Sequence, residues 1–277
     1  MDNREKILVV VLTIMLAVLY FDTFTWLVES WLTEPDYSHG FLVPIVSAFF
    51  IWRKRHILKH GEKDFDAGML VLGAGLFLYV VGDLRDAVFI SSVSFMVVLS
   101  GLIALFCGKA VLKEWVFPLC VLIFMIPLPY IEVISAYLQL FTAGSSTSIA
   151  HGLGIDAAND GNAVSLGSGE VVVGEDCSGL RLMIPLFALA SIFVYMLACR
   201  LQIKIFLLSI TVPTAITANV LRVTLTILIA DYYGLGAGAA FFHYFSGIFF
   251  FITSIALLII IAKLLKCTNH FGKNIQG

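Results

Sequence analysis

Gly174-Glu175-Asp176-Cys177-Ser178-Gly179-Leu180-Arg181 stands at a boundary in the chain. Before it runs a polar, glycine-rich segment, residues 159–170, and after it an almost unbroken apolar run, residues 182–198. A cysteine placed there sits where water meets a membrane. Ser178 and Gly179 open a helix, whose N-terminus would favour a thiolate. The carboxylates of Glu175 and Asp176 would oppose it. Taken alone, Cys177 reads as a small residue filling a helix start. Two residues further along the chain give it a chemical setting.

Composition decides the class. Of 277 residues, 60% are hydrophobic and only 13% charged, with a mean hydropathy of +0.99. No soluble core buries that much apolar sequence, and several runs approach the roughly 20 residues needed to cross a bilayer. The expected fold is an all-α polytopic membrane protein with little soluble mass. The net charge of −2 names no partner, and without a basic patch no nucleic acid is expected. The five cysteines, at 107, 120, 177, 199 and 267, form no CxxC and no metal-ligand spacing. No metal and no cofactor is expected. Four of these cysteines lie in or beside apolar runs and read as packing residues, leaving Cys177 in a polar setting. The first apolar run is too long for a cleavable leader, so none is expected.

In order, about eight spans are expected: 7–28, 41–52 with flanking residues from Tyr37, 68–81, 87–106, 116–127 with its flanks, 182–198, 203–230 and 245–265. Segment 130–154 is less apolar. Ile131, Ile134, Leu138 and Phe141 recur at helical spacing, which predicts an amphipathic helix lying at the interface. Segment 162–173 differs in kind. Two β-prone runs flank Gly167-Ser168-Gly169, which predicts a hairpin just before Cys177 and the one sheet of the protein. Residues 266–277 form a polar tail, and 1–277 reads as a single transmembrane domain.

Basic residues orient the chain. With the N-terminus inside, fourteen of the seventeen Lys and Arg fall in inner segments, leaving Arg85, Arg181 and Arg222. Both termini are then cytoplasmic and the hairpin extracytoplasmic. The spans carrying Cys177, Arg222 and His243 meet at the outer face.

Arg222 lies inside an apolar run, where an arginine usually faces a polar cavity or a partner. It is eight residues from Ala230, about 12 Å below the expected helix end. Asn219 is three residues earlier, on the same face. His243 opens the last span among aromatics, and Gly247 one turn on would let another backbone approach. Separately these are a snorkelling arginine and an interfacial histidine. Together a thiol, an imidazole and a guanidinium are the parts of an acyl-transfer site: nucleophile, proton carrier and oxyanion holder.

Three motifs, Cys177-Ser178-Gly179-Leu180-Arg181, Asn219-Val220-Leu221-Arg222 and His243 followed by Gly247, resemble in order and spacing those of the exosortase/archaeosortase family. The hairpin and Ser38-His39-Gly40-Phe41-Leu42-Val43-Pro44 extend the likeness, whose Cys-Ser-Gly-Leu-Arg form looks bacterial. The resemblance implies a cysteine transpeptidase/protease of the bacterial inner membrane. Its partners would be secreted proteins bearing a Pro-Glu-Pro motif, a membrane helix and a basic tail. The signal would be cut outside the membrane and the acyl group passed to an unknown surface acceptor. It implies Cys177 as nucleophile, Arg222 as stabiliser of thiolate or oxyanion, and His243 as general acid/base.

Two other readings stay open: an intramembrane cysteine protease that hydrolyses without transfer, and a transporter using Arg222 as an anion site. Against the second, the charged residues gather at one face. Three further residues are candidates for substrate contact. His39 sits at the mouth of the second span on the outer side, where it is equally well a turn residue before Gly40. Asn219 shares Arg222's face. Val172 lies in the strand 171–173 leading to Cys177, whose edge could hold an extended substrate by backbone hydrogen bonds.

Overall fold

The computed structural model describes residues 3–60, 65–129, 131–174 and 179–269. Cys177 lies outside them with Glu175, Asp176 and Ser178, as do Lys63 and the tail from residue 270. The chain is mostly helical and divides into two compact units, Met1–Pro129 and Tyr130–Gly277. Four described helices are long and apolar enough to cross a membrane: Phe65–Leu84, Val88–Cys107, Leu201–Tyr233 and Ser246–Leu264. A bent pair supplies a fifth. The other expected spans fall in shorter helices of 12, 13 and 17 residues, under the roughly 20 residues of a typical crossing helix.

In the first unit, α1 (Asn3–Leu19) and α2 (Phe21–Thr33) were expected as one helix. They meet at a 67° bend. Tyr20 leaves helical geometry there (φ −101°, ψ 19°). Its fully buried ring packs edge-on against Tyr79 and Phe95, and its hydroxyl shares a 2.9 Å hydrogen bond with Ser94 Oγ. A 3-10 segment, Pro35–Phe41, leads into α3 (Leu42–Arg53). The helices α4 (Phe65–Leu84) and α5 (Val88–Cys107) form a tight hairpin. A Cβ at Gly68, Gly75 or Gly82 would lie within 2.8 Å of an α5 atom, so glycine sets the approach. The unit closes with α6 (Lys109–Val121) and the 3-10 turn Leu122–Met125.

The second unit begins with α7 (Ile131–Gly152). Its helix is as predicted, and it packs on the unit through small and hydroxylated residues. Ile134 and Phe141 are 54% and 55% exposed, while Ser135, Thr142, Ala143, Ser146, Thr147 and Ala150 are buried. Small and hydroxylated side chains let helices approach closely and bond across the contact. Next come β1 (Ala157–Asp160), β2 (Ala163–Leu166) and β3 (Gly169–Val172), an antiparallel meander with β2 in the middle. The hairpin forms where its residues predict it, with Leu166 opposite Gly169. β1 was not foreseen.

α8 (Leu180–Met196), α9 (Leu201–Tyr233), α10 (Leu235–Tyr244) and α11 (Ser246–Leu264) complete the unit. α9 is the axis. The sheet and α7 pack on it through Ala143, Val164, Val173, Val223 and Ile227. On another part of its length Ala215 and Ala218 meet Leu186 of α8 and Phe250 of α11. The sequence reading made the hairpin the one sheet of the protein, and the structure corrects it: β4 (Leu197–Ala198) pairs with β5 (Thr268–Asn269). Beside it Cys199 and Cys267, read from the sequence as packing residues, form a disulfide with Cα atoms 5.4 Å apart. The short ladder brings them within bonding reach.

Candidate active site

About four turns of α9 organise the second unit's polar interior. Thr214, Ala215, Ala218, Asn219, Arg222, Val223, Thr226 and Ile227 are all buried, the i, i+3, i+4 stripe of a helix packed on one broad face. Arg222 is only 2% exposed, so it is not a snorkelling side chain. Its guanidinium carbon lies 4.9 Å from the centre of the Phe242 ring. Cation–π contacts of this kind strengthen when desolvated.

Phe242 is on α10, which folds back along α9. Gly234 (φ +90°) turns the chain. At Gly238 a Cβ would lie 2.8 Å from the Cβ of Ala230, so only glycine allows this contact. His243 follows Phe242 directly and is exposed, with its ring edge-on to Tyr244 at 4.9 Å. It was expected to open the last long helix. Instead it lies in the last turn of the separate α10, and α11 begins three residues later. The Ser246 hydroxyl donates to the Phe242 carbonyl across that break. Among the described residues, nothing approaches within 4 Å of a Cβ built on Gly247, so it does not admit a neighbouring backbone as its spacing suggested.

Asn219 is 1% exposed. Its Nδ2 donates to Thr142 Oγ1 of α7 at 3.2 Å. Its side chain lies against Gly179, which adopts a left-handed conformation (φ +77°) at the start of α8. The described chain therefore resumes, two residues after Cys177, in contact with Asn219. The structure brings Arg222, the residue before His243 and the exit of the cysteine segment onto one stretch of α9. Cys177 itself is not described.

A cavity of about 610 Å³ opens beside this stretch, between β3 on one side and Val223, Thr226 and α10 residues on the other. β3 is the outer strand of the sheet, and Val172 is 59% exposed. The ladder settles which backbone groups face outward. Val173 N donates to Asn162 O at 2.8 Å, directly across from it. Hydrogen-bonded and non-hydrogen-bonded pairs alternate in an antiparallel ladder. Val171 therefore bonds to β2, while the N–H and C=O of Glu170 and Val172 face away from it.

His39 belongs to the first unit. It lies in the 3-10 segment, half-buried, with Nε2–H donating to the Phe124 carbonyl at 3.1 Å. Two neighbours do the same work: Trp31 Nε1 donates to Met125 O at 2.7 Å, and Tyr37 Oη accepts from Leu128 N at 2.9 Å. The motif around Gly40 thus pins the backbone of 124–128.

A family model for transmembrane exosortases matches residues 31–260. The chain belongs to the transmembrane exosortase family. No curated protein and no solved structure matches it. The exosortase match covers most of the chain and runs through both compact units. Exosortase membership places the protein among membrane-embedded sorting proteases and transpeptidases. Two residues of this candidate site were invisible in the sequence. Phe242 reads as one of several belt aromatics, and Thr142 as one of many threonines. Only contact with Arg222 and Asn219 singles them out.

Proposed function

We propose that the protein cuts C-terminal sorting signals from secreted proteins through a Cys177 thioester and passes the acyl group to a surface acceptor. The observation that carries this is the convergence on α9. Arg222 is buried against Phe242, next to His243, and Gly179 of the cysteine motif rests on Asn219 one turn away.

The Cys177 thiolate attacks the scissile carbonyl carbon, and the electron pair of that carbonyl moves onto oxygen. Arg222 holds the resulting oxyanion, more strongly for being away from bulk water. His243 gives a proton to the departing amine, and the C–N bond breaks to leave a thioester. An acceptor nucleophile then loses its proton to His243 and attacks the thioester, releasing the thiolate. Water as acceptor gives hydrolysis by the same steps. The transporter reading loses ground because a buried arginine stacked on an aromatic ring is held in place.

The substrate around the cut is a Pro-Glu-Pro stretch followed by a helix and a basic tail. Prolines keep such a stretch extended. The outward N–H and C=O of Val172 suit it as an added strand in the cavity beside β3. The site faces the outside of the bacterial inner membrane, both termini are cytoplasmic, and the shorter helices complete the spans. The basic-residue distribution supports this orientation. One observation opposes it: the Cys199–Cys267 bond sits at the ends assigned to the cytoplasm, a compartment that keeps thiols reduced. Labelling single cysteines at exposed positions with an impermeant maleimide in whole cells decides between the two.

The test of function is processing of a reporter carrying the tripartite tail. Cys177→Ala should abolish it while the protein accumulates. Mass spectrometry of the wild-type product separates outcomes: a conjugate means transfer and a new carboxylate means hydrolysis. Normal processing by Cys177→Ala would sink the proposal.

A further inference from the structure

We infer that Asn219, held by Thr142, is a positioning residue that fixes the backbone of Gly179, two residues after Cys177. The inference rests on the sorting-enzyme reading of the site and goes beyond it by naming what aims the nucleophile.

Gly179 is the joint. It is buried, with φ +77°, and its carbonyl accepts from the amides of Leu182 and Met183 at 3.1 and 2.9 Å. It therefore starts α8. A Cβ at this residue would lie 2.6 Å from Asn219 Cγ and 2.8 Å from Nδ2. The side chain of Asn219 thus occupies the place a Cβ at Gly179 would take, and any larger residue there would displace it. Cys177 is two residues away in the chain. A shift of the Gly179 backbone is passed on through two peptide units.

Thr142 keeps the amide in place. Its Oγ1 accepts from Asn219 Nδ2 at 3.2 Å, and both residues are 1% exposed. With water excluded, that bond is a buried anchor of the amide, and losing it loosens the Asn219 side chain. The contact runs from α7 through α9 to the start of α8, so the helix read from sequence as interfacial supports Gly179, where the chain resumes after Cys177. Reacting atoms must be held to within a fraction of an ångström for efficient attack.

A built-in control lies one turn along α7. Ser146 Oγ donates to Val220 O at 3.1 Å. This is a second buried bond between the same helices, and it does not touch Asn219.

The experiment uses the full-length protein in detergent. Alkylation of Cys177 by iodoacetamide is followed across pH by mass spectrometry of its peptide. In parallel, kcat and KM are measured on a tripartite-tail substrate. Thr142→Val keeps the shape and removes the hydroxyl. It should change the alkylation rate and lower kcat by about tenfold, with KM unchanged. Thr142→Ser should restore both, and Ser146→Ala should alter neither. Asn219→Ala should match Thr142→Val if it folds. If it does not, the Val/Ser pair decides alone.

Three results would overturn the inference. The first is alkylation of Thr142→Val at the wild-type rate. The second is the same effect from Ser146→Ala as from Thr142→Val, which would make the role general helix packing. The third is a raised KM with alkylation unchanged, which would make Asn219 a substrate contact. Alkylation needs no substrate, so these results are separate from any failure of the sorting-enzyme reading, which the Cys177→Ala reporter detects.

Discussion

Arg222 and Phe242 stack, with the guanidinium carbon 4.9 Å from the ring centre. The two residues come from α9 and α10, and the next residue is His243. One contact therefore fixes the charged group and aims the helix that carries the imidazole. Phe242→Leu keeps the apolar bulk and removes the π face. A desolvated cation–π contact contributes about 2 kcal/mol, so kcat/KM for tail cleavage should fall roughly tenfold to thirtyfold. Phe242→Tyr should stay near wild type. Full activity in Phe242→Leu would show the stacking to be incidental.

Arg222→Lys keeps the charge but loses the planar fork and the flat face that meets the ring. It should be strongly impaired, and Arg222→Ala inactive, in single-turnover cleavage. Near-normal turnover with lysine would reduce Arg222 to a source of positive charge.

Val172→Pro removes an N–H that faces away from β2, so the existing sheet loses no bond. Circular dichroism and thermal stability should be little changed while KM for the tail substrate rises severalfold. Val171→Pro, which removes a ladder bond, should destabilise the protein instead. If the two variants behave alike, β3 is a structural strand with no part in capture.

His39 donates to the Phe124 carbonyl through Nε2. Glutamine places an amide donor at similar reach, so His39→Gln should keep thermal stability and processing close to wild type. His39→Ala should lower the unfolding temperature by a few degrees, the cost of about one hydrogen bond, and reduce processing without abolishing it. Complete loss of processing in a stable His39→Ala variant would move His39 into the chemistry.

How much of this could be read in the sequence depends on what each residue reports. Apolar runs locate α4, α5, α9 and α11 to within a few residues, because length and hydropathy alone decide a long membrane helix. The β2–β3 hairpin follows from its turn and its β-branched residues. Ala157-Ala158-Asn159-Asp160 has neither, so β1 is made by pairing with β2 and cannot be seen locally. The apolar stripe of α7 is visible in its spacing, but the face that packs on the protein is not. In this helix the small hydroxylated residues pack and the large apolar ones face out. Arg222 stands out because an arginine in an apolar run is costly. Its partner Phe242 does not, since phenylalanine there is commonplace. α10 was not foreseen: its residues were left between the last two spans, since Gly236 and Gly238 weaken a helical reading.

The bond between Cys199 and Cys267, 68 residues apart, makes a closed covalent ring of α9, α10 and α11. Arg222, Phe242 and His243 all ride on this ring, while Cys177 hangs on the strand of chain that enters it. In the chain-entropy account, a ring of this size restricts the unfolded state by about 4 kcal/mol. A denatured molecule therefore keeps the guanidinium and the imidazole within one tether, and only the thiol has to be found again from outside. Reductant changes that connectivity without touching any proposed catalytic group. Recovery after denaturation should then depend on the redox state, even where the activity of the folded protein does not.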